Sequence, residues 1–490
     1  MSKVADQWKP RQRRAQATAQ EHRGRFGAWG ITCLLVGLYT GCVDYQAAPL
    51  TPARSAEQFA ARRLSDPQLR DAIRPLLPQA AAGWPPREWD RALLLAVALV
   101  QNPELAVARA QAQAVRAHEI TAAQTPNPDL LLESEYAIHD THPWLYGIEL
   151  DWLLRSHERR RLDIELARLD TGNARLQLMD RTWAVRHALA AALSEAQGAR
   201  RRLILLDRLS LAQVRLLEFE QQRVRAGEDP PGELVTGQRA RIDIEQQQSE
   251  QRALADAAQA AAANALGVPP QALDGVTLAW PDWGEPPPVS DDELRARSEQ
   301  ALLSRADLGV AIGEYSMAET KLHLAVARQY PELILEPGYY WDHGIAKFPF
   351  DVGFTLPFNG NKGEIAEARA GRDLAGQRMF ALQADIYGEI AAAGRAEHIA
   401  RVNADAAERQ LQAARLQEQQ IDLGVRLGAQ DALELTGAQI LVTRAELELL
   451  QMRAQLQVAR NHLEDVLHTP LSGPELALAK SVAVVPAGGS

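Results

Sequence analysis

This chain has little of what most functions are built from. It holds two cysteines in 490 residues. One of them, Cys33, sits in an apolar N-terminal run, so removal of that run leaves a single thiol and no internal disulfide. Aromatic residues make up only 6% of the chain and fall in a few clusters. Net positive charge is lacking: the formal net charge is −10, which argues against a general affinity for nucleic acid. Beyond the leader, no stretch reaches the roughly 18 uninterrupted apolar residues of a spanning helix, so any membrane crossing falls to strands. There is no phosphate loop with a Gly-Lys-Ser/Thr ending, no nucleophile motif and no cysteine-based metal spacing. The chain therefore reads as no enzyme, as needing no cofactor, and as unable to power transport by itself.

What is abundant is Ala, Leu, Arg, Gln and Glu, the mix of long packed helices. The body is also written twice. Asn102-Pro103-Glu104-Leu105 returns as Arg305-Ala306-Asp307-Leu308, and Pro128-Asp129-Leu130 as Pro331-Glu332-Leu333, both displaced by 203 residues. Val224-Arg225-Ala226-Gly227 returns as Val425-Arg426-Leu427-Gly428. So long a period marks a duplicated half rather than a short solenoid unit. The expected division is a signal peptide over 1–41, an equatorial belt segment over 42–89, a first repeat over 90–266, an equatorial linker over 267–292, a second repeat over 293–469 and a flexible tail over 470–490.

The leader carries Lys9, Arg11, Arg13, Arg14, Arg23 and Arg25 ahead of an apolar run from about Phe26 to Tyr39. Gly41-Cys42 closes that run and resembles a bacterial lipoprotein cleavage site, which makes Cys42 the expected lipidation residue. Val43 follows where an Asp is absent, a pattern like that of lipoproteins sorted to the outer membrane.

Strands are expected over about 128–139, 145–154, 331–342 and 348–358. In the second of these, Tyr146, Ile148, Leu150, Trp152 and Leu154 alternate with Gly147, Glu149, Asp151 and Leu153. In the fourth, Phe348, Phe350, Val352, Phe354, Leu356 and Phe358 share a face. Alternation of this length suits a tilted strand crossing a bilayer. Tyr136, Trp144, Tyr146, Tyr339, Trp341 and Phe348 fall towards one end, as an interfacial aromatic girdle would. Four strands cannot close without open edges, which lipid forbids, so three chains are expected to pool about twelve strands into one barrel. Glu133, Glu135, Glu149, Asp151, Glu336, Asp342 and Asp351 then line the lumen and favour cations.

Helix is expected from about Arg159 to Ala226, roughly 100 Å, with a shorter arm over about Glu233–Leu266. The second copy repeats this over about Glu364–Leu427 and Asp431–Leu467. Leu203, Leu206, Leu209, Val214 and Leu217 have coiled-coil spacing. Ser290-Asp291-Asp292-Glu293 reads as a capping box restarting helix after the irregular linker. The fold class is thus mainly α with a small β part: duplicated coiled-coil hairpins that continue a pooled twelve-stranded transmembrane barrel as a periplasmic tunnel.

These residues resemble the TolC-like outer-membrane efflux family, the outer membrane factors, across nearly the whole mature chain. The likeness rests on the duplicated Asn-Pro-Glu-Leu element, the Pro-Asp/Glu-Leu strand entries and Phe354-Thr355-Leu356-Pro357-Phe358-Asn359-Gly360-Asn361-Lys362-Gly363-Glu364. That last run, continued by Ile365, is similar to the cobalt-zinc-cadmium type of heavy-metal efflux branch. The first copy departs from it, since Leu150-Asp151-Trp152-Leu153-Leu154-Arg155 lacks the Pro and the Gly. The resemblance implies a homotrimer in outer-membrane lipid, lipid-anchored and largely periplasmic, that docks a periplasmic adaptor (membrane fusion) protein and an inner-membrane efflux pump. It implies that the periplasmic tips carry docking and gating, with Arg225, Gly227, Glu228 and Asp229 in one copy and Arg426, Gly428 and Asp431 in the other.

Two other readings stay open on the sequence. One is the same duct serving drugs, other organic compounds or protein secretion. The other is a lipid-anchored periplasmic coiled-coil tether or adaptor, although an adaptor would carry the long hairpin once and here it occurs twice. His139, Asp140 and His142 in one outer loop and Asp342-His343 in the other read as polar surface.

Overall fold

The structure is a computed structural model that describes residues 45–78, 83–139, 141–476 and 478. The signal peptide, Cys42, Asp140 and residues 479–490 lie outside the described residues. The chain divides into two compact units, 1–57 and 58–490. In the first, residues 45–51 are extended and exposed, and helix α1 (Pro52–Ala60) begins.

In the second unit the order is α2 (Pro67–Ile73), β1 (Trp89–Asp90), α3 (Arg91–Gln101), α4 (Pro103–Ala123), β2 (Asp129–Tyr136), β3 (Trp144–Leu154), α5 (His157–Ala226) and α6 (Gly232–Leu266). It continues with β4 (Leu278–Ala279), α7 (Asp291–Ser304), α8 (Ala306–Ala327), β5 (Leu333–Asp342), β6 (Ile345–Lys347), β7 (Phe350–Phe354), α9 (Lys362–Arg426) and α10 (Ala432–Val466). The duplication is explicit. α4 and α8 start 203 positions apart, whereas α6 and α10 start 200 apart, because the second long helix is shorter, 65 residues against 70. At about 1.5 Å per residue, α5 runs roughly 105 Å.

The degenerate copy of the Asn-Pro-Glu-Leu element keeps its task with different atoms. Asn102 caps α4 through Leu105 N–H at 3.1 Å, and its amide donates to Ala265 O, at the end of α6, at 2.8 Å. Arg305 stands at the same place before α8 and donates to Val466 O, at the end of α10, at 2.7 Å. Asp307 accepts Leu308 N–H at 2.8 Å and is also ion-paired to Arg305. Each copy thus ties the foot of its upper helix to the return of its hairpin. Ser290 caps α7 through Glu293 N–H at 3.2 Å, while a complete reciprocal capping box forms at Asp431 and Glu434.

Next to the strands the helices lie side by side in the order α4–α5–α8–α9, and farther down as α6–α5–α10–α9. Around the middle of α5, Val185, Leu189 and Leu193 join the main apolar cluster with α3, the end of α6, and Trp280 and Trp283 of the linker. β1 pairs in parallel with β4, so the end of the 42–89 segment and the linker are stitched together there. Arg186 is 5% exposed and ion-pairs Glu464 and Glu475, each at 2.5 Å. Burial opposes its charge, but the two carboxylates outweigh it and hold the guanidinium above its usual pKa. The tail expected from about Pro470 is therefore not loose at its start: Glu475 and Leu478 are buried against the shaft.

The fourth strand also differs from expectation. Instead of one run over about 348–358, two pieces pair with β5 and break at Phe348-Pro349. Proline has no N–H for the ladder, and the second piece stops at Phe354, three residues short of Pro357. Phe358 lies beyond it, 93% exposed.

Candidate pore face and helical tips

The strand register sorts side chains between two faces. Leu130 lies opposite Leu150, Leu132 opposite Ile148 and Tyr136 opposite Trp144. Tyr146 lies opposite Trp341, Ile148 opposite Tyr339 and Trp152 opposite Leu335. Leu335 in turn meets Val352, and Leu333 meets Phe354. These form one continuous apolar face, largely exposed in the single chain. On it Tyr136 packs edge-on against Trp144 at 4.9 Å, Tyr146 stacks on Trp341 at 6.3 Å and Tyr339 meets Phe348 at 5.2 Å. The six aromatics cross the sheet as a band at the end away from the helices.

The opposite face collects all seven carboxylates singled out from the sequence: Glu133, Glu135, Glu149, Asp151, Glu336, Asp342 and Asp351. At the helix end they align. Asp129 lies opposite Asp151, the β3–β5 register brings Glu336 opposite Asp151, and Glu336 pairs with Asp351. Asp129 was not picked out by alternation alone; only pairing puts it in the row. Midway, Tyr340 donates to Glu149 Oε2 at 2.5 Å and also reaches Glu133. Its ring lies flat over Gly147, where a Cβ would sit 2.2 Å from a ring carbon. Asp342 differs from the others, because Lys347 and His343 both pair with it and offset its charge. His142 packs against Gly344, so the two outer loops touch. Among the described residues no group of three or more His, Cys, Asp or Glu side chains is arranged to hold a metal ion.

At the far end of the helices each hairpin turns on glycine. Gly227 (φ 78°) and Gly428 (φ 74°) take the left-handed conformation that closes a helix. Glu228 N–H returns to Arg223 O at 2.9 Å, and Ala429 N–H to Gly424 O at 2.8 Å. The two tips are joined by a residue the sequence reading missed. Arg223 makes a fork with Asp229, at 2.7 and 3.1 Å, and lies 3.7 Å from Asp431 and 3.8 Å from Glu228. The hydrogen bond that Arg223 donates to Asp229 holds the Arg223 pKa above its usual value. A signal was available, since an arginine one turn ahead of the terminating Gly faces whatever follows the turn. Arg426 ion-pairs Asp422 at 2.6 Å within its own helix, while Arg225 is exposed.

One turn higher, Gly237 of α6 lets α5 approach closely, since a Cβ there would meet Leu217 at 2.6 Å and Glu220 at 2.7 Å. Burial raises the pKa of Glu220, and the nearby Glu233 and Asp229 raise it further.

No protein-family model and no curated protein sequence matches the chain. Solved structures do. CusC, whose structures concern folding and transmembrane channel formation, aligns with TM-score 0.61 at 17% identity over 79% of this chain and 94% of its own. The outer-membrane channel OprN aligns at 0.64 and 18% identity, over 87% and 98%. The MtrE outer-membrane channel of Neisseria gonorrhoeae, in its open state, aligns at 0.62 and 17% identity, over 78% and 89%. At these identities the likeness is one of fold, and the fold is that of outer-membrane channels.

Proposed function

We propose that this chain is the outer-membrane exit duct of a tripartite efflux system, a TolC-like outer membrane factor that passively conducts heavy-metal cations. The observation that carries the reading is the strand register. It separates an apolar, aromatic-banded face from a face of carboxylates and leaves both flanks of the sheet without partners. In lipid such flanks must be paired, so three chains pool their strands into one barrel and continue it downwards as a helical tunnel. Exposed apolar residues along α9, among them Phe380, Ile399 and Leu416, supply a seam for a neighbouring copy. The likeness in fold to outer-membrane channels supports the same assembly.

In that assembly the carboxylate face lines the lumen, and a threefold axis repeats the row at Asp129, Asp151, Glu336 and Asp351 into a ring. Fixed negative charge at a constriction lowers the energy of a passing cation and raises that of an anion. The heavy-metal assignment rests on this charge and on the Leu356–Ile365 turn. Cys42 anchors the mature chain after the signal peptide leaves, and the 42–89 segment and the linker form the equatorial belt. The tips meet a periplasmic adaptor coupled to an inner-membrane pump. There Arg223 with Glu228, Asp229 and Asp431 holds the entrance shut, and Arg225, Gly227, Arg426 and Gly428 shape the docking surface.

The deciding experiment is light scattering of the detergent-extracted mature protein, corrected for bound detergent, followed by conductance in a planar bilayer. A trimer with cation-preferring conductance is expected. A stable monomer would sink the duct, and an anion-preferring trimer would sink the metal assignment. Loss of metal tolerance in a deletion strain, with drug tolerance intact, separates metal cargo from organic cargo.

A further inference from the structure

The duplication supplies an internal control for residues the scaffold does not require. The first turn of α5 carries Arg159, Arg160 and Arg161, with Arg155 just ahead of it and only Glu158 opposing them through residue 161, in a chain whose net charge is −10. A groove of about 430 Å³ opens there, lined by His157, Arg160, Arg161, Ile164, Glu165 and Arg168. At the matching positions around the start of α9, displaced by 203, stand Gly360 in the preceding turn and then Gly363, Glu364, Glu367, Ala368 and Gly371. α9 forms the same long helix at the same level without one of these arginines. The basic groove is thus an addition to the repeat rather than a condition of its fold.

We propose that this groove seats the phosphate of a glycerophospholipid from the bilayer leaflet that faces the helices. The inference rests on the reading that the strands span the outer membrane. Three observations carry it. α5 starts three residues after β3 ends at Leu154, and Arg160 and Arg161 stand within about 6 Å of its first residue, so they lie just below the sheet, at headgroup depth. Arg160 and Arg168 both reach α4, at Ala123 and Glu119, so the groove runs along the α4 side of α5. The arginines are also available to an anion. Arg160 gives one terminal nitrogen to Ala123 O at 2.8 Å, and Arg168 lies 3.5 Å from Glu119 but is 71% exposed. Arg161 pairs with Glu158 at 2.7 Å and Glu165 at 3.3 Å, but all three side chains are about half exposed. Such pairs hold little energy, and planar guanidinium forks match phosphate oxygens well.

The test is native mass spectrometry of the full mature protein, titrated with phosphatidylglycerol and separately with diacylglycerol, which lacks the phosphate. Retention of phosphatidylglycerol over diacylglycerol is expected, weakened at least tenfold in Arg160→Gln/Arg161→Gln/Arg168→Gln. Arg369→Gln/Arg372→Gln/Arg378→Gln, which removes as many arginines from α9, should leave it unchanged. Equal retention in both triple variants overturns the proposal, as does full displacement of the lipid by inorganic phosphate, which would mark a site for free anions. If the first triple variant fails to assemble, Arg161→Glu, which copies Glu364, serves in its place with the same two outcomes. Failure of the premise looks different: the parent protein would be monomeric and non-conducting. An assembled, conducting trimer whose lipid retention ignores the groove overturns only this inference.

Discussion

Single residues decide how closely the elements approach. Gly147 is there because the Tyr340 ring occupies the space of its Cβ and in doing so brings a hydroxyl to Glu149. Gly147→Val should therefore block sheet formation and trimer yield in detergent, and the double variant Gly147→Val/Tyr340→Ala should recover it; no recovery would mean that the ring is not the obstacle. Glu220 makes the opposite point, because its surroundings resist its charge. Its folded pKa is raised, so the stability it contributes is present below the unfolded value of about 4.3 and is lost as pH rises through the folded value. Glu220→Gln, which mimics the protonated acid, should melt at a higher temperature than the parent at neutral pH, with the gap closing as pH falls towards about 4. A gap that persists at low pH would assign the effect to packing beside Gly237 instead. Neither residue stands out in the sequence, since a glycine within a strand and a glutamate within a helix declare nothing until the partner element is placed beside them.

Among the elements, the strands were the most legible. The strand expected over about 145–154 matches β3 to within a residue, because side chains of period two show in any window. The fourth strand was read too long because alternation is blind to hydrogen bonds: Pro349 withholds an N–H from the ladder, and past Phe354 the partner strand has ended at Leu333. The long helices were legible from the scarcity of Pro and Gly, and their turns from Gly227 and Gly428. The element-scale prediction concerns the apolar face. Leu150→Arg or Phe354→Arg should cost about 2–4 kcal/mol near the midplane and abolish trimer in outer-membrane fractions. A protein that tolerates both keeps that face out of lipid. Asp151→Arg, on the other face, should still assemble but lose cation preference in the bilayer.

For the molecule as a whole, the consequential contacts join the two copies of the repeat. Arg208 of α5 and Arg415 of α9 both bind Glu446 of α10, at 2.7 and 2.9 Å, and Arg223 reaches from the first tip to Asp431 of the second. The Arg223 pairs stand in solvent, which screens them, so they add little to global stability. Their effect should appear instead at the entrance. Arg223→Ala should leave melting nearly unchanged while raising the resting conductance in a planar bilayer, and conductance equal to the parent's would remove Arg223 from the gate.

The sequence by itself determined the duplication, the helix lengths, the strand faces and the glycine turns. All of these are local, being periodicities or conformational demands that a short window of residues must satisfy alone. Tertiary structure decided what depends on residues far apart: the alignment of Asp129, Asp151, Glu336 and Asp351, the Tyr340 ring over Gly147, the seating of Glu475 on Arg186 and the bridge from Arg223 to Asp431. Register and burial are properties of pairs, and a charge or a glycine acquires its meaning only when the chain folds a second element against it.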